Sequence, residues 1–396
     1  MHMIGFTKEL VIATTFSPEV TQKVVAEWQA HSPDKNIRFI NRTSASLQRL
    51  LDNPRAEQVD LVMSSSLFLF QHLHKQGKLH PLPKVLLQHS PLIPENLTAT
   101  TAVVAFSGYG IFFNKTRLKE RQLTEPHNFE DLFDPRYQDG LMISSPSRSS
   151  TNHIMLEMLL QQQGWEKGWA TYISLAPQIS AISSRSFNVA DRVSMGLVVA
   201  GMTIDSYANR LLADSNLGFH YFPHSVISPT LIAISVGSRQ TELASDFIAF
   251  LLTPFGQNII TTLTMSKFPL QGLPENHPLA TKQKQLLLQK SLNYSLLMQR
   301  QILVEKLFDM AMTFRLYQLK NVWQRLNTKE KTLNHPLPEI RAKLTAMPVS
   351  ELQANDSDYL TKLAQDKNFA LSEENRWATF FQEQLNQVLL DLEYMQ

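Results

Sequence analysis

The chain has 396 residues, room for two or three domains of ordinary size, with 43% hydrophobic residues and a formal net charge of +2. A charge this close to zero argues against nucleic acid or an anionic membrane surface as partner, and no stretch reaches the roughly 18 apolar residues of a membrane helix. There are no cysteines, which excludes disulfides, thiolate metal sites and a cysteine nucleophile, and suits an oxidising compartment.

Met1, His2 and Met3 are followed almost directly by the apolar run Leu10 to Ala13, the start expected of a chain whose leader has been removed or of a cytosolic chain that simply starts there. That run reads as a strand. Pro18 to Ala30 reads as a helix with Val20, Val24, Val25 and Trp28 on one side. Ile37 to Ile40 is a second strand, Ala45 to Leu51 begins a second helix, and Val59 to Met63 is a third strand. Such alternation predicts an α/β fold with a parallel, doubly wound sheet. Val103 to Phe106 leads through Ser107-Gly-Tyr-Gly110 into Ile111 to Asn114, after which the pattern restarts. Leu141 to Ser144 is a strand, Thr151 to Gln163 a long helix, Val198 to Ile204 and Thr230 to Val236 are apolar runs, and Glu242 to Leu252 is a helix. The restart predicts a second α/β lobe inserted into the first.

All 13 glycines lie at or before Gly272, so tight left-handed turns are scarce in the 124 residues that follow. Leu303, Leu307, Met310, Phe314 and Tyr317 recur at spacings of four and three, a helix stripe. Ser372 is placed to cap a final helix whose apolar face is Trp377, Phe381, Leu385, Val388 and Leu392. Pro336, Pro338 and Pro348 mark loops. An all-α tail of three to five helices is expected, either a domain of its own or a brace for the lobes.

The most informative segment is Ser144-Ser-Pro-Ser-Arg-Ser-Ser-Thr151, between a strand and a helix. Unpaired N–H groups and the helix dipole attract an anion at such a place. Ser149, Ser150 and Thr151 add hydroxyl donors, and Arg148 either pairs with the anion or points away. Serine-rich turns also simply cap helices. Three other strand ends carry hydroxyls: Thr14-Thr15, Thr43-Ser44 and Ser64-Ser65-Ser66. Ligands of open α/β sheets sit at the carboxyl ends of strands, although such pairs also serve turns. Asp205, followed by Ser206 and Tyr207, either accepts hydrogen bonds from ligand hydroxyls or caps a helix from Tyr207 to Leu212. Arg185 either neutralises a ligand charge or is a solvated loop residue. There is no G-x-G-x-x-G, Walker A, H-E-x-x-H or G-x-S-x-G, and the twelve histidines have no ligand spacing. No enzyme, cofactor or metal site is expected.

Asn128-Phe-Glu-Asp-Leu-Phe-Asp-Pro-Arg-Tyr137, then Gly140 to Thr151, then Gly164-Trp-Glu-Lys-Gly-Trp169 resemble the corresponding run of type 2 periplasmic binding proteins. Ser228-Pro-Thr-Leu-Ile-Ala-Ile234 followed by Ala244 to Gln257 resembles a second run of that family. The matches are in order and span about residues 8 to 272. The resemblance implies two α/β lobes, one of residues 5–106 plus 226–272 and one of 107–225, with ligand held between them; the helical domain read from the glycine-free segment, 275–396, comes after them. Ferric-ion binders of the family have adjacent tyrosines where this chain has Asp205 to Tyr207, with Tyr207 alone. That departure points instead to the branch that binds sugar phosphates and phosphoglycerate through serine and threonine. The glycine-free tail is similar to that of members that sense external phosphoglycerates.

These expectations combine into a periplasmic receptor for a small phosphorylated organic anion. Phosphate enters at Ser149 to Thr151, Thr15, Ser44 and Ser65 contact the ligand from the first lobe, Asp205 reads a hydroxyl and Arg185 balances charge. Closure is driven by differential affinity for the closed form. The implied partner is a membrane sensor kinase or a transporter component, with no nucleic acid and no direct membrane insertion. The alternative is the receptor of an ATP-driven importer for hexose phosphates or ferric ion.

Overall fold

The computed structural model describes residues 9–53, 55, 57–88, 92–261, 265–288 and 292–395. The expected leader-free start at Met1 to Met3 lies outside them. The chain divides into two compact units. The first comprises Met1–Gly110, Ile204–Ser215 and Ser225–Lys290, and the second Ile111–Thr203, Asn216–His224 and Ser291–Gln396.

The first unit opens with Glu9–Thr14 (β1), Pro18–His31 (α1), Asn36–Asn41 (β2), Ser44–Asp52 (α2), Leu61–Ser64 (β3), Leu67–Lys75 (α3) and Ala102–Ser107 (β4). Three of its helices start on a hydroxyl that accepts a backbone N–H: Ser17 from Val20, Thr43 from Ser46 and Ser66 from Leu69. In the second unit Tyr109–Asn114 (β5), Lys115–Glu120 (α4), Leu141–Ser144 (β6), Ser150–Gln163 (α5), Trp165–Ile173 (α6), Ile179–Ser183 (β7), Ser186–Ser194 (α7) and Ala200–Ile204 (β8) rebuild the α/β pattern. Asp205–Asn209 (α8) returns to the first unit and Leu217–Tyr221 (β9) completes the second sheet. Ser228–Ile234 (β10), Thr241–Leu252 (α9), Pro254–Thr261 (α10) and Ala280–Leu287 (α11) close the first unit.

Each unit holds one five-stranded sheet, ordered β2-β1-β3-β10-β4 and β7-β6-β8-β5-β9. β1 runs parallel to β2 and β3, but β10 is antiparallel to β3 and β4, so the first sheet is mixed rather than parallel as expected. The reason is topological: β10 re-enters from the other unit instead of through a right-handed crossover helix. The core of the first unit gathers Leu10, Ile12, Val24, Trp28, Leu61, Val104, Ile232 and Phe247. Trp28 meets Phe247 and Phe250 edge-on, with ring centroids 5.2 and 5.1 Å apart. Each such large side chain contributes about 1.5–3 kcal/mol of burial free energy.

The tail belongs to the second unit from Ser291 onward. It runs through Tyr294–Gln299 (α12), Gln301–Phe308 (α13), a π-turn at Asp309–Thr313, Leu316–Leu333 (α14), Pro338–Thr345 (α15), Glu351–Ala354 (α16), Ser357–Gln365 (α17) and Lys367–Tyr394 (α18). Among the described residues that makes eight helices from Ala280 onward, more than the three to five expected, because polar caps such as Ser350 and Asp356 cut the segment finely. The last helix starts on Asp366, which accepts the N–H groups of Asn368 and Phe369, so Ser372 is interior to it and caps nothing. Asn334, at φ 54°, supplies the left-handed C-cap of α14 that glycine usually provides.

The expected stripe along α13 and α14 breaks at the π-turn. Leu303 and Leu307 are buried, but Phe314 and Tyr317 are 73% and 80% exposed. The Phe314 N–H bonds the Asp309 carbonyl five residues back at 2.8 Å, and this wider turn shifts the phase of all later residues. Arg315 turns inward instead. Its Nε donates to the Ala311 carbonyl and its Nη1 to Gln384 and the Phe381 carbonyl.

Helix α5 is buried at every residue from Thr151 to Leu160, which hides any amphipathic period. The tail is one of the elements that cover it. Arg300 pairs with Glu157, both fully enclosed, and the Gln161 amide donates to the Asn293 carbonyl. On α6, Trp165 donates to the Val349 carbonyl at 2.8 Å. A Cβ on Gly168 would stand 2.9 Å from the Leu160 Cα, so α5 and α6 meet on that glycine. Gly168→Ala is expected to cost about 1–3 kcal/mol, read as a fall of several degrees in Tm by thermal denaturation.

Candidate functional site

In the first unit the carboxyl ends of β1, β3 and β4 carry a run of hydroxyls. Thr14 is fully buried and its Oγ1 accepts the Phe16 N–H at 3.2 Å. Thr15 Oγ1 lies 2.6 Å from Ser64 Oγ. Thr43 and Ser66 are the helix caps already described, and Ser44 is the half-buried first residue of α2. Ser65, also half-buried, sits 3.4 Å from Thr230 Oγ1 on β10.

Lys267 completes this group, and nothing in the sequence reading pointed to it. Its Nζ lies 3.4 Å from Ser65 Oγ and 3.4 Å from Ser107 Oγ, and 4.8 Å from the centroid of the Phe16 ring. The residue is 3% exposed. Burial pushes the ammonium down to about 8, and the charge of Asp205 counters part of that fall. Ser228, which pairs with Ser107 across the β10–β4 ladder, is buried, and among the described residues its hydroxyl has no hydrogen-bond partner. The signal that marked Lys267 was its setting: an isolated lysine in Met265-Ser-Lys-Phe-Pro-Leu270, an otherwise largely apolar segment.

Asp205 is fully buried. Its Oδ2 accepts the Gly108 N–H at 3.0 Å while its own N–H donates to the Gly108 carbonyl at 2.9 Å. It is the first residue of α8, whose N-cap is Ile204, so the expected cap role is not the one it plays. Tyr207 is buried in the same helix.

The serine loop lies in the second unit. Ser149 is the N-cap of α5 without a side-chain capping bond, Ser150 is half-buried, and Thr151 Oγ1 donates to Ser186 Oγ at 3.3 Å. Arg148 is exposed. Arg185 lies with its guanidinium 4.6 Å over the Phe187 ring, and its N–H donates to Ser183 Oγ. The tail reaches this loop. Asp309 accepts from Ser147 Oγ at 2.8 Å and from Ser145 Oγ at 3.3 Å, so two of the loop hydroxyls are held by a carboxylate of the chain itself. In a single chain, then, the structure gathers Thr15, Ser65 and Lys267 in one unit and Ser149, Ser150 and Thr151 in the other.

Among the described residues no group of three or more His, Asp or Glu side chains is arranged to hold a metal ion. No single helix there is long and apolar enough to cross a membrane.

The profile of the bacterial extracellular solute-binding protein family matches residues 56–290. The phosphoglycerate transport regulatory protein PgtC of Salmonella typhimurium is 44% identical over 377 residues, 95% of each chain, and PgtC of Salmonella typhi matches equally. Among solved structures, the periplasmic binding protein AfuA from Actinobacillus pleuropneumoniae with fructose-6-phosphate superposes with a TM-score of 0.66 at 19% identity, covering 76% of this chain and 98% of that one. Iron-bound HitA from Pseudomonas aeruginosa gives 0.61 at 17% identity, with 75% and 98% covered. The two structures agree with this chain in fold, and the match to PgtC takes in the tail as well as the two sheets. The chain belongs to the bacterial extracellular solute-binding proteins, with an all-α C-terminal region added to the two-lobed fold.

Proposed function

We propose that this chain is a periplasmic receptor for a small phosphorylated organic anion, a phosphoglycerate, phosphoenolpyruvate or a sugar phosphate. It binds without chemistry and passes its occupancy to a membrane partner that regulates phosphoglycerate transport. The observation that carries this reading is the 44% identity, over nearly the whole chain, to a phosphoglycerate transport regulatory protein. The side chains support it. Hydroxyls donate to phosphate oxygens without adding a competing negative charge, and they end β1 and β3 and open α5. The first-turn N–H groups of α5 suit an anion as well. In this reading Thr15 and Ser65 are the hydroxyl donors that the first unit offers to such an anion, Ser149, Ser150 and Thr151 are those of the second, and Arg185 balances charge.

Isothermal titration of the full chain with 3-phosphoglycerate, phosphoenolpyruvate, glucose 6-phosphate and ferric citrate tests it. The expected result is a Kd of about 1 μM or tighter for at least one phosphorylated acid, equivalent to about −8 kcal/mol, and no heat with ferric citrate. If none of the phosphorylated compounds binds, the reading fails.

A further inference from the structure

Lys267 has a charge that the chain does not neutralise at close range. Among the described residues no carboxylate lies within 4.0 Å of its Nζ, and the two oxygens near it belong to the neutral Ser65 and Ser107. Both contacts, at 3.4 Å, are longer than the 2.7–2.9 Å of a charge-assisted bond. The Asp205 carboxylate acts on it from further away. Holding an ammonium this deep is costly unless it is paired. The surroundings are those of an anion cradle: the neutral donors Ser107, Ser228 and Thr230 are fully buried, and Ser65 and Thr15 form a half-buried polar edge. The Ser228 hydroxyl has a hydrogen bond still to give among the described residues.

We propose that Lys267 is the cationic anchor of an anion subsite in the first unit. It pairs with a phosphoryl or carboxylate group of the ligand, with Ser65, Ser107 and Ser228 donating around it. This assignment rests on the receptor reading above and names the residue that supplies the charge. Such a subsite takes a compact oxyanion and rejects neutral sugars, because a neutral group would leave the ammonium buried and unpaired.

The test is titration of the full chain with 3-phosphoglycerate and with phosphoenolpyruvate, using wild type, Lys267→Met and Ser228→Ala. Lys267→Met is expected to weaken binding at least about 100-fold, since it removes one partner of a buried charge pair. Its melting temperature should hold or rise, because an unpaired buried charge is gone. Ser228→Ala, too small a change to disturb the fold, should cost about 5–10-fold through one lost hydrogen bond. Wild-type affinity should fall about tenfold per pH unit above about 8, where the anchor loses its proton, and the Met variant should lack that dependence. Wild-type binding with Lys267→Met within threefold of it overturns the assignment of Lys267 and leaves the receptor reading standing. A wild type that binds neither compound overturns both.

Discussion

Replacing Arg300 by Met is expected to destabilise the second unit by about 3–5 kcal/mol, seen as an earlier unfolding transition in urea. Glu157, in the middle of α5, has no exposed surface. Its Oε1 receives Arg300 Nε at 2.9 Å, Arg300 Nη2, and the Gln161 amide at 3.0 Å. Removing the guanidinium strands a carboxylate in a low-dielectric interior, whereas removing both charges does not. The double variant Arg300→Met with Glu157→Leu should therefore recover most of the loss. A single variant as stable as wild type would mean that water reaches Glu157. The same contacts bear on what the tail does. Cutting the chain at Ser291 takes away Arg300, the Asp309 carboxylate on Ser145 and Ser147, and the Val349 carbonyl on Trp165. The truncated product is a second unit with buried groups unpaired, so loss of signalling in it says nothing about a signalling surface. Substitutions at the exposed Phe314 and Tyr317 leave those buried contacts intact and so test the tail without unfolding it.

Element by element, the α/β part was readable because its strands are short apolar runs between polar breaks. Leu141 to Ser144 emerged at its full length, and Pro18 to Ala30 fell one residue short of α1. β7 and β9 were not foreseen, since Ile179–Ser183 and Leu217–Tyr221 alternate with polar residues and glycine and form no apolar run. The antiparallel course of β10 depends on where the chain re-enters the sheet, which no local pattern encodes. In the tail, spacing misled at Phe314 and Tyr317, because a single π-turn resets the helical phase and Arg315 takes the inward place. Hydroxyls at strand ends were easy to find and hard to rank. Thr43 and Ser66 spend theirs on helix caps, while Ser65 stands beside Lys267. Lys267 was missed because a lone lysine belongs to no motif, and the apolar segment around it is a weak mark of its burial.

Burial of that lysine carries a second measurable consequence, for stability rather than affinity. In the unliganded protein the Lys267 ammonium is held down to about 8, against an ordinary 10.5 in the unfolded chain. Between those values the unfolded state binds more protons than the folded one, so stability must rise with pH across the window. Fully expressed, the depression corresponds to about 3 kcal/mol. The rise should be visible from about pH 8 to 10. Above that it is opposed by buried tyrosines: burial pushes Tyr294 up to about 12 and raises Tyr172 further, so both keep protons that the unfolded chain releases. Denaturant midpoints of the wild type should therefore climb over pH 8–10, while those of Lys267→Met stay flat. An oxyanion paired with the ammonium restores its preference for the charged form. With saturating 3-phosphoglycerate the ligand's contribution is full below about pH 8 and shrinks above it, which offsets the rise, so the midpoint of the liganded protein should stay nearly flat over pH 8–10. An unliganded wild type whose midpoint does not move over this range would mean that Lys267 keeps its proton through some other partner, and the pairing with ligand would lose its driving force.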